Sequence, residues 1–407
     1  MAKRETADLV VVGAGTLGGW SSVFAREMGA GSVVVLEREQ AGRGASIRAA
    51  GMVRSQGGSP DTVRLGTWSI DFYGRQHARY GTDSGFVGAG YLILAPTVAE
   101  ERAAHERIAM QRSIGLDARW VNATEARRLS PTLAETGYRG GSYVATDGWV
   151  DPPRNVQAYL LAMQRAKVEL REGAAFLGLR TRTGKGGRRV VTGVQTSRGP
   201  IATGRVILTG GPGMQAVASA AGSRAWVGYA RHQVVVTEAH RSLALERFGA
   251  MAFDIRAGIY WRPEEGGILW GMSNPQERPG PGRAIDWAYL RTMQRRLQRL
   301  VPVTAGLGIK KVWAATIEYT PDHLPLLGPL VLRDGTQIDG VTIASACGHG
   351  MMWGPAVARI AADLSLTGGT KVVEQPEHFR MDRFDAKGRY PFVDPVALPF
   401  PVQVEDP

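Results

Sequence analysis

The chain opens on a strong alternation of apolar runs and glycine. Residues 8–39 read DLVVVGAGTLGGWSSVFAREMGAGSVVVLERE: a short apolar run, a glycine cluster, a stretch with helical spacing, and a second apolar run ending in Glu37. That order predicts strand, tight turn, helix and strand, a complete βαβ unit. A second strand, turn and helix is predicted near the other end, in VTIASACGHGMMWGPAVARIAADLSLTG (341–368), with Pro355 in the first helical turn and Gly368 and Gly369 as a stop. DWAYLRTMQRRLQRLVP (286–302) predicts an amphipathic helix, because Arg291, Arg295 and Arg299 share one face and Leu290, Leu297 and Leu300 lie opposite. TRTGKGGRRV (181–190) has the glycines of an exposed hairpin tip. The proline-rich end, YPFVDPVALPFPVQVEDP, lacks periodicity and predicts an extended arm on the surface or on a partner. No internal repeat is visible.

Length turns this pattern into more than one structural unit, since 407 residues exceed what a single small core organises. The hydrophobic fraction of 44% and charged fraction of 21% are those of a folded chain rather than a disordered one. A single cysteine excludes an internal disulfide framework and a multi-cysteine zinc site, and fits a reducing, cytoplasmic setting. No export signal is read at the amino terminus, and no run approaches the roughly 20 apolar residues of a membrane span. The formal charge of +12 raises nucleic acid as a partner. The arginine stripe lacks the interleaved aromatics that stack on bases, so it reads as a solvated face.

The glycine cluster carries the first chemistry. Gly13, Gly15 and Gly18 form G-x-G-x-x-G between a strand and a helix, and Glu37 ends the next strand nineteen residues after Gly18. In such a unit the glycines allow a tight turn and close approach of a pyrophosphate, the helix N-terminus offers N–H donors, and the terminal acid accepts from a ribose. Thr16 and Leu17 begin that helix. The unit alone does not separate NAD from FAD. The following segment, EREQAGRGASIRAAGMVRSQGG (37–58), does: instead of an early second helix it continues as a long loop of small residues and arginines, among them Arg38, Arg43, Ala45, Ser46, Arg48 and Arg54, which suits a longer cofactor.

This loop resembles the flavin loop of the D-amino acid oxidase (DAO) superfamily of FAD-dependent oxidoreductases, in particular its sarcosine oxidase and dimethylglycine dehydrogenase branch. The resemblance extends in order along the chain. It runs through ATDGWVDPPRNVQAY with Asp151 and Pro152 leading a helix, AAFLGL with Phe176 beside the adenine, and RVILTGGPG with Thr209 and Gly210 returning to the cofactor. It continues through ARHQVVVTE, GIYWRPEEGGILWG and WAATIEYTPDHLPLLGP to the final flavin turn at Gly348, His349, Gly350, Met351 and Met352. It implies an α/β fold in which a discontinuous Rossmann-like FAD-binding domain (1–85, 145–220 and 322–390) is joined by four crossings to an α+β substrate domain with a large mixed sheet (86–144 and 221–321), followed by the arm at 391–407.

The implied reaction is oxidation of a C–N bond in a secondary amine or N-alkyl amino acid, with O2 or an electron-transfer protein as acceptor. Oligomerisation is compatible with it. Arg54 matches an arginine that binds the substrate carboxylate, and Tyr260 and Trp261 match aromatics near the substrate. Trp270 and Met352 add an apolar wall, and His349 reads either as a structural histidine or as a group that tunes flavin charge. Cys347 reads as a small buried residue, neither nucleophile nor ligand.

The chain also departs from the family. Arg48 and Ala315 stand where relatives carry the histidine or cysteine of a covalent flavin bond, so FAD is expected to bind non-covalently. Met352 replaces a carboxylate-binding lysine, Ile317 stands at an arginine position of glycine and D-amino acid oxidases, and Leu269 stands nearest to a lysine that promotes reaction with O2. Two alternatives therefore stay open: a 2-hydroxy acid, alcohol or D-amino acid dehydrogenase, and a flavin-binding subunit without catalysis.

Overall fold

Leu9–Val12 and Val33–Leu36 are buried at every position because they lie inside a sheet covered on both faces. In the computed structural model of the chain, which describes residues 5–396, five parallel strands form the centre of this sheet. Their order is Glu169–Arg171, Val33–Leu36, Leu9–Val12, Val206–Leu208 and Gln337–Ser345. Four further strands complete nine, including the hairpin Phe176–Thr183 with Arg189–Thr196. Side chains alternate across the strands: Leu9 and Val11 pack beneath the helices Thr16–Glu27 and Gly354–Thr367, and Val10 and Val12 pack on the opposite face with Leu208 and Met214.

A second sheet has eight strands. Their order is Ile309–Tyr319, Gly228–Thr237, Gly267–Ser273, Ile259–Glu264, Met251–Asp254, Tyr91–Ala95, Gly140–Val144 and Arg119–Asn122. It is mixed, since Met251–Asp254 runs parallel to Tyr91–Ala95 and the other neighbours are antiparallel. The helix Trp287–Leu300 covers one face with Leu290, Met293, Leu297 and Leu300, while Arg291, Arg295 and Arg299 point to solvent. The other face looks toward the nine-stranded sheet. Following the chain, successive strands pass from one sheet to the other four times.

The arm differs from its surface expectation where it is described. Asp394 and Val396 are buried, and residues 397–407 lie outside the described residues. No helix among the described residues is long and apolar enough to cross a membrane.

Candidate active site

The two sheets enclose a cleft of about 370 Å³ that begins at the carboxyl ends of the parallel strands. Its first wall is the glycine turn. Gly13 has φ +94°, and a Cβ there would run into the Thr209 carbonyl; a Cβ on Gly18 would strike the Gly13 carbonyl. These two positions therefore need glycine for the helix to sit against the strand end. The helix Thr16–Glu27 starts on Gly15, which offers no side chain to cap it, so its first turn presents positive potential to the cleft. From the loop after the second strand, Ser46 Oγ accepts from Thr16 N at 3.0 Å and ties that loop to the helix start. Glu37 accepts from Ala14 N and Glu39 N, each at 3.0 Å, and its carboxylate lines the cleft with acceptor capacity left over.

The second helix N-terminus arrives at the same cleft. After the strand Gln337–Ser345 the chain turns through Cys347 and Gly348, with φ +49° and +81°, and enters Gly354–Thr367 without a side-chain cap. Gly348, His349, Gly350, Met351 and Met352 all line the cleft. His349 Nδ1 donates to the Cys347 carbonyl at 2.9 Å, and burial, reinforced by Arg54, holds the ring down to about 3, so it is neutral. Cys347 is buried beneath the turn and does not line the cleft. Burial pushes its thiol up to about 12, and no group of three or more possible metal ligands occurs among the described residues.

The sheet wall carries a buried chain of polar groups. Tyr260 hydroxyl meets His232 Nε2, and His232 Nδ1 lies 2.8 Å from Ser273 Oγ. All three side chains are buried. Burial holds His232 down to about 4 and raises the Tyr260 phenol, so both are neutral near pH 7. The three groups satisfy one another in either of two proton arrangements. The Tyr260 hydroxyl can therefore donate or accept toward the cleft without leaving a buried group unpaired.

Arg54 closes one end of the cleft at 5% exposure. Its Nη1 donates to the Gln56 carbonyl and its Nη2 to the Val396 carbonyl, and it forms no ion pair among the described residues. Behind it, Ser55 donates to Asp147 Oδ1 from both backbone and hydroxyl at 2.8 and 2.6 Å, and Gln56 Nε2 donates to Oδ2 at 3.1 Å. Burial nevertheless pushes Asp147 up to about 6. The folded state thus holds this proton more tightly than the unfolded chain, so the stability it contributes is present at low pH and is lost as pH rises from about 4 through about 6. Melting curves of the wild type and Asp147→Asn across that window should show the wild type losing ground as pH rises. A constant difference would mean that Asp147 does not titrate there.

Most residues anticipated from the sequence line this cleft: the glycine turn, Thr16, Leu17, Glu37, Arg38, Ala45, Ser46, Arg48, Arg54, Phe176, Thr209, Gly210, Tyr260 and the final turn. Three do not. Arg43 lies off it, and Trp261 and Trp270 are buried on the far face of the sheet, packed with Leu290 and Met293. Neighbours along a strand point to opposite faces, so Tyr260 and Trp261 cannot both face the cleft. Trp270 is the cross-strand partner of Trp261 and shares its side. The same period of two assigns His232 to the cleft face, two residues before Val234, a signal present in ARHQVVVTE. Glu318 also lines the cleft unannounced; it accepts from Ser345 Oγ at 3.0 Å, and burial pushes it up to about 7.

The residues present fit FAD. Two uncapped helix starts, a carboxylate beyond the first of them and a glycine turn before the second line one continuous cleft, as a pyrophosphate, a ribose and a flat ring require. The solved structures bear out the fold. L-proline dehydrogenase from P. horikoshii superposes with a TM-score of 0.83 at 24% identity over 94% of this chain and 98% of its own. Glycine oxidase from Geobacillus kaustophilus gives 0.78 at 23% over 94% and 100%. Among curated relatives, 4-methylaminobutanoate oxidase (formaldehyde-forming) of Paenarthrobacter nicotinovorans is 24% identical over 88% of this chain and 43% of its own length. Mitochondrial sarcosine dehydrogenase of Mus musculus is 24% identical over 85% and 39%. The chain thus spans less than half the length of these two relatives. The signature of the family described as FAD dependent oxidoreductase, DAO, matches residues 8–364, and with the cleft built as it is, the chain belongs to that family.

Proposed function

We propose that the protein oxidises the C–N bond of a secondary amine or N-alkyl amino acid, removing hydride from the carbon beside nitrogen and giving an imine. Bound FAD supplies the acceptor for the two electrons. The chain's own residues bind the substrate, orient it and exclude water. The observation that carries this reading is the buried Arg54 guanidinium, which shares one cleft with the Tyr260–His232 pair and faces carbonyls rather than a carboxylate. Among the described residues the guanidinium has no direct ion pair, and a substrate carboxylate at its remaining donors would supply one. Tyr260 then lies on the same cleft to accept from, or donate to, the amine. His232 is too weak a base to keep the proton of an alkylammonium, so the pair favours an amine that binds neutral.

We further propose that FAD is held without a covalent bond. Arg48 lines the cleft with its guanidinium turned to the carbonyls of Arg43 and Gly44, and Ala315 has no nucleophile. Denaturation and desalting should therefore strip the yellow colour.

The reading is tested by adding amines, then 2-hydroxy acids, to the oxidised protein without air. Bleaching of the flavin band by N-alkyl amino acids is expected; bleaching by hydroxy acids alone would move the reaction to C–O bonds, and bleaching by neither would leave a flavin-binding subunit. Arg54→Ala should lower kcat/KM for a carboxylate substrate by about 2 kcal/mol and change its amide much less. Equal losses would remove the anchor role.

A further inference from the structure

The described end of the arm runs into the cleft. Val396 is fully buried among Met52, Tyr91, Phe253 and Tyr260, and it lines the same cleft as Arg54. Its seat is built rather than incidental. Val396 N donates to Asp394 Oδ1 at 2.8 Å, which closes a tight turn, and Asp394 N donates to the Asp322 carbonyl at 3.1 Å. Asp322 is in turn held by Nε and Nη2 of Arg383, at 2.7 and 2.9 Å, in a bidentate ion pair that is almost wholly buried. Asp394 also places negative charge near the buried Arg107. The result is a backbone carbonyl delivered to Arg54 from a point more than three hundred residues away in sequence.

A free arginine side chain samples many rotamers and gives up that freedom when it is fixed. Arg54 has that freedom removed before a ligand arrives. The Gln56 carbonyl takes one terminal nitrogen and the Val396 carbonyl takes the other, and among the described residues three of the five N–H donors are left. Neither partner is charged, so the cation is oriented without being neutralised. Preorganisation of this kind raises affinity for a carboxylate and adds nothing for a neutral ligand.

We propose that Val396 is a positioning and specificity-determining residue of the substrate site: its carbonyl holds the Arg54 guanidinium in the orientation that meets a substrate carboxylate, and its side chain closes that end of the cleft. The proposal rests on the reading of Arg54 as the carboxylate anchor.

The test uses the FAD-loaded full chain and the flavin difference spectrum as the readout of binding, with benzoate as the anionic probe and benzyl alcohol as its neutral counterpart. A variant ending at Val393 removes the carbonyl; Asp394→Ala loosens its turn and serves if the shortened chain does not fold. Either change should raise the Kd of benzoate by about tenfold for the loss of one held charge contact, with the Kd of benzyl alcohol within about twofold and flavin content intact. In an Arg54→Ala background, itself weaker for benzoate, the same change should add nothing. An unchanged or lower benzoate Kd, or equal losses for both probes, would overturn the role of Val396. If Arg54→Ala alone leaves benzoate binding unchanged, the anchor reading fails as well, a result distinct from failure of the arm.

Discussion

Gly15→Val should give a folded protein that purifies without flavin. Gly15 is extended at φ −82° and ψ −171°, a conformation open to valine, and a Cβ there meets only Ser46 Oγ, at 3.2 Å. The fold therefore takes the added side chain once the Ser46 hydroxyl gives by a few tenths of an ångström. The two methyl groups would stand on the helix start, where a pyrophosphate must come close to the N–H groups, and a loss of about a thousandfold in FAD affinity, or about 4 kcal/mol, is expected. Replacing glycine by a β-branched residue at a helix cap costs about 1 kcal/mol of stability, which a protein of this size tolerates. The contrast is Gly18→Ala, whose methyl group would strike the Gly13 carbonyl and damage the fold directly. Circular dichroism beside the flavin absorbance separates the two cases. A Gly15→Val protein with normal flavin content would overturn the placement of the cofactor.

The second large effect is expected at His232. The ring meets the Tyr260 hydroxyl on one side and Ser273 Oγ on the other, so His232→Gln should lower kcat/KM by about a hundredfold, the range of a positioned proton-handling group. Tyr260→Phe should cost a similar factor. The double variant should cost hardly more than either alone, because the two side chains act as one unit. Losses that multiply would show two independent roles. Burial holds His232 near 4, so its titration should leave no limb in the profile between pH 6 and 9. A limb in that range that disappears in His232→Gln would mean that the histidine changes charge during turnover.

These two sites differ in how far the sequence announced them. The glycine fingerprint is local: turn, helix start and terminal acid fall within 13–37, and their geometry follows from backbone sterics and the helix dipole. Its structure is what that stretch implies. Tyr260 was legible as a candidate, and its neighbour Trp261 was legible too, but the period of two allows only one of them on the cleft face. Register chose Tyr260 and sent Trp261, with its partner Trp270, into the core beneath the helix Trp287–Leu300. His232 was visible only as one polar residue in a strand. It became a functional candidate when pairing of Gly228–Thr237 with Gly267–Ser273 brought it to Ser273, and the next strand brought Tyr260.

By itself the sequence determined the dinucleotide unit and the glycine turn before the last helix. These follow from short-range patterns that each stretch carries alone, whereas the discontinuous plan was implied only by the family resemblance. Only the tertiary structure decided which face each strand side chain occupies, that burial raises the proton affinity of Asp147 and Glu318, and that Val396 meets Arg54. Burial and long-range contact are properties of the assembled chain: a residue's exposure and charge state depend on partners that its own neighbourhood in sequence does not specify.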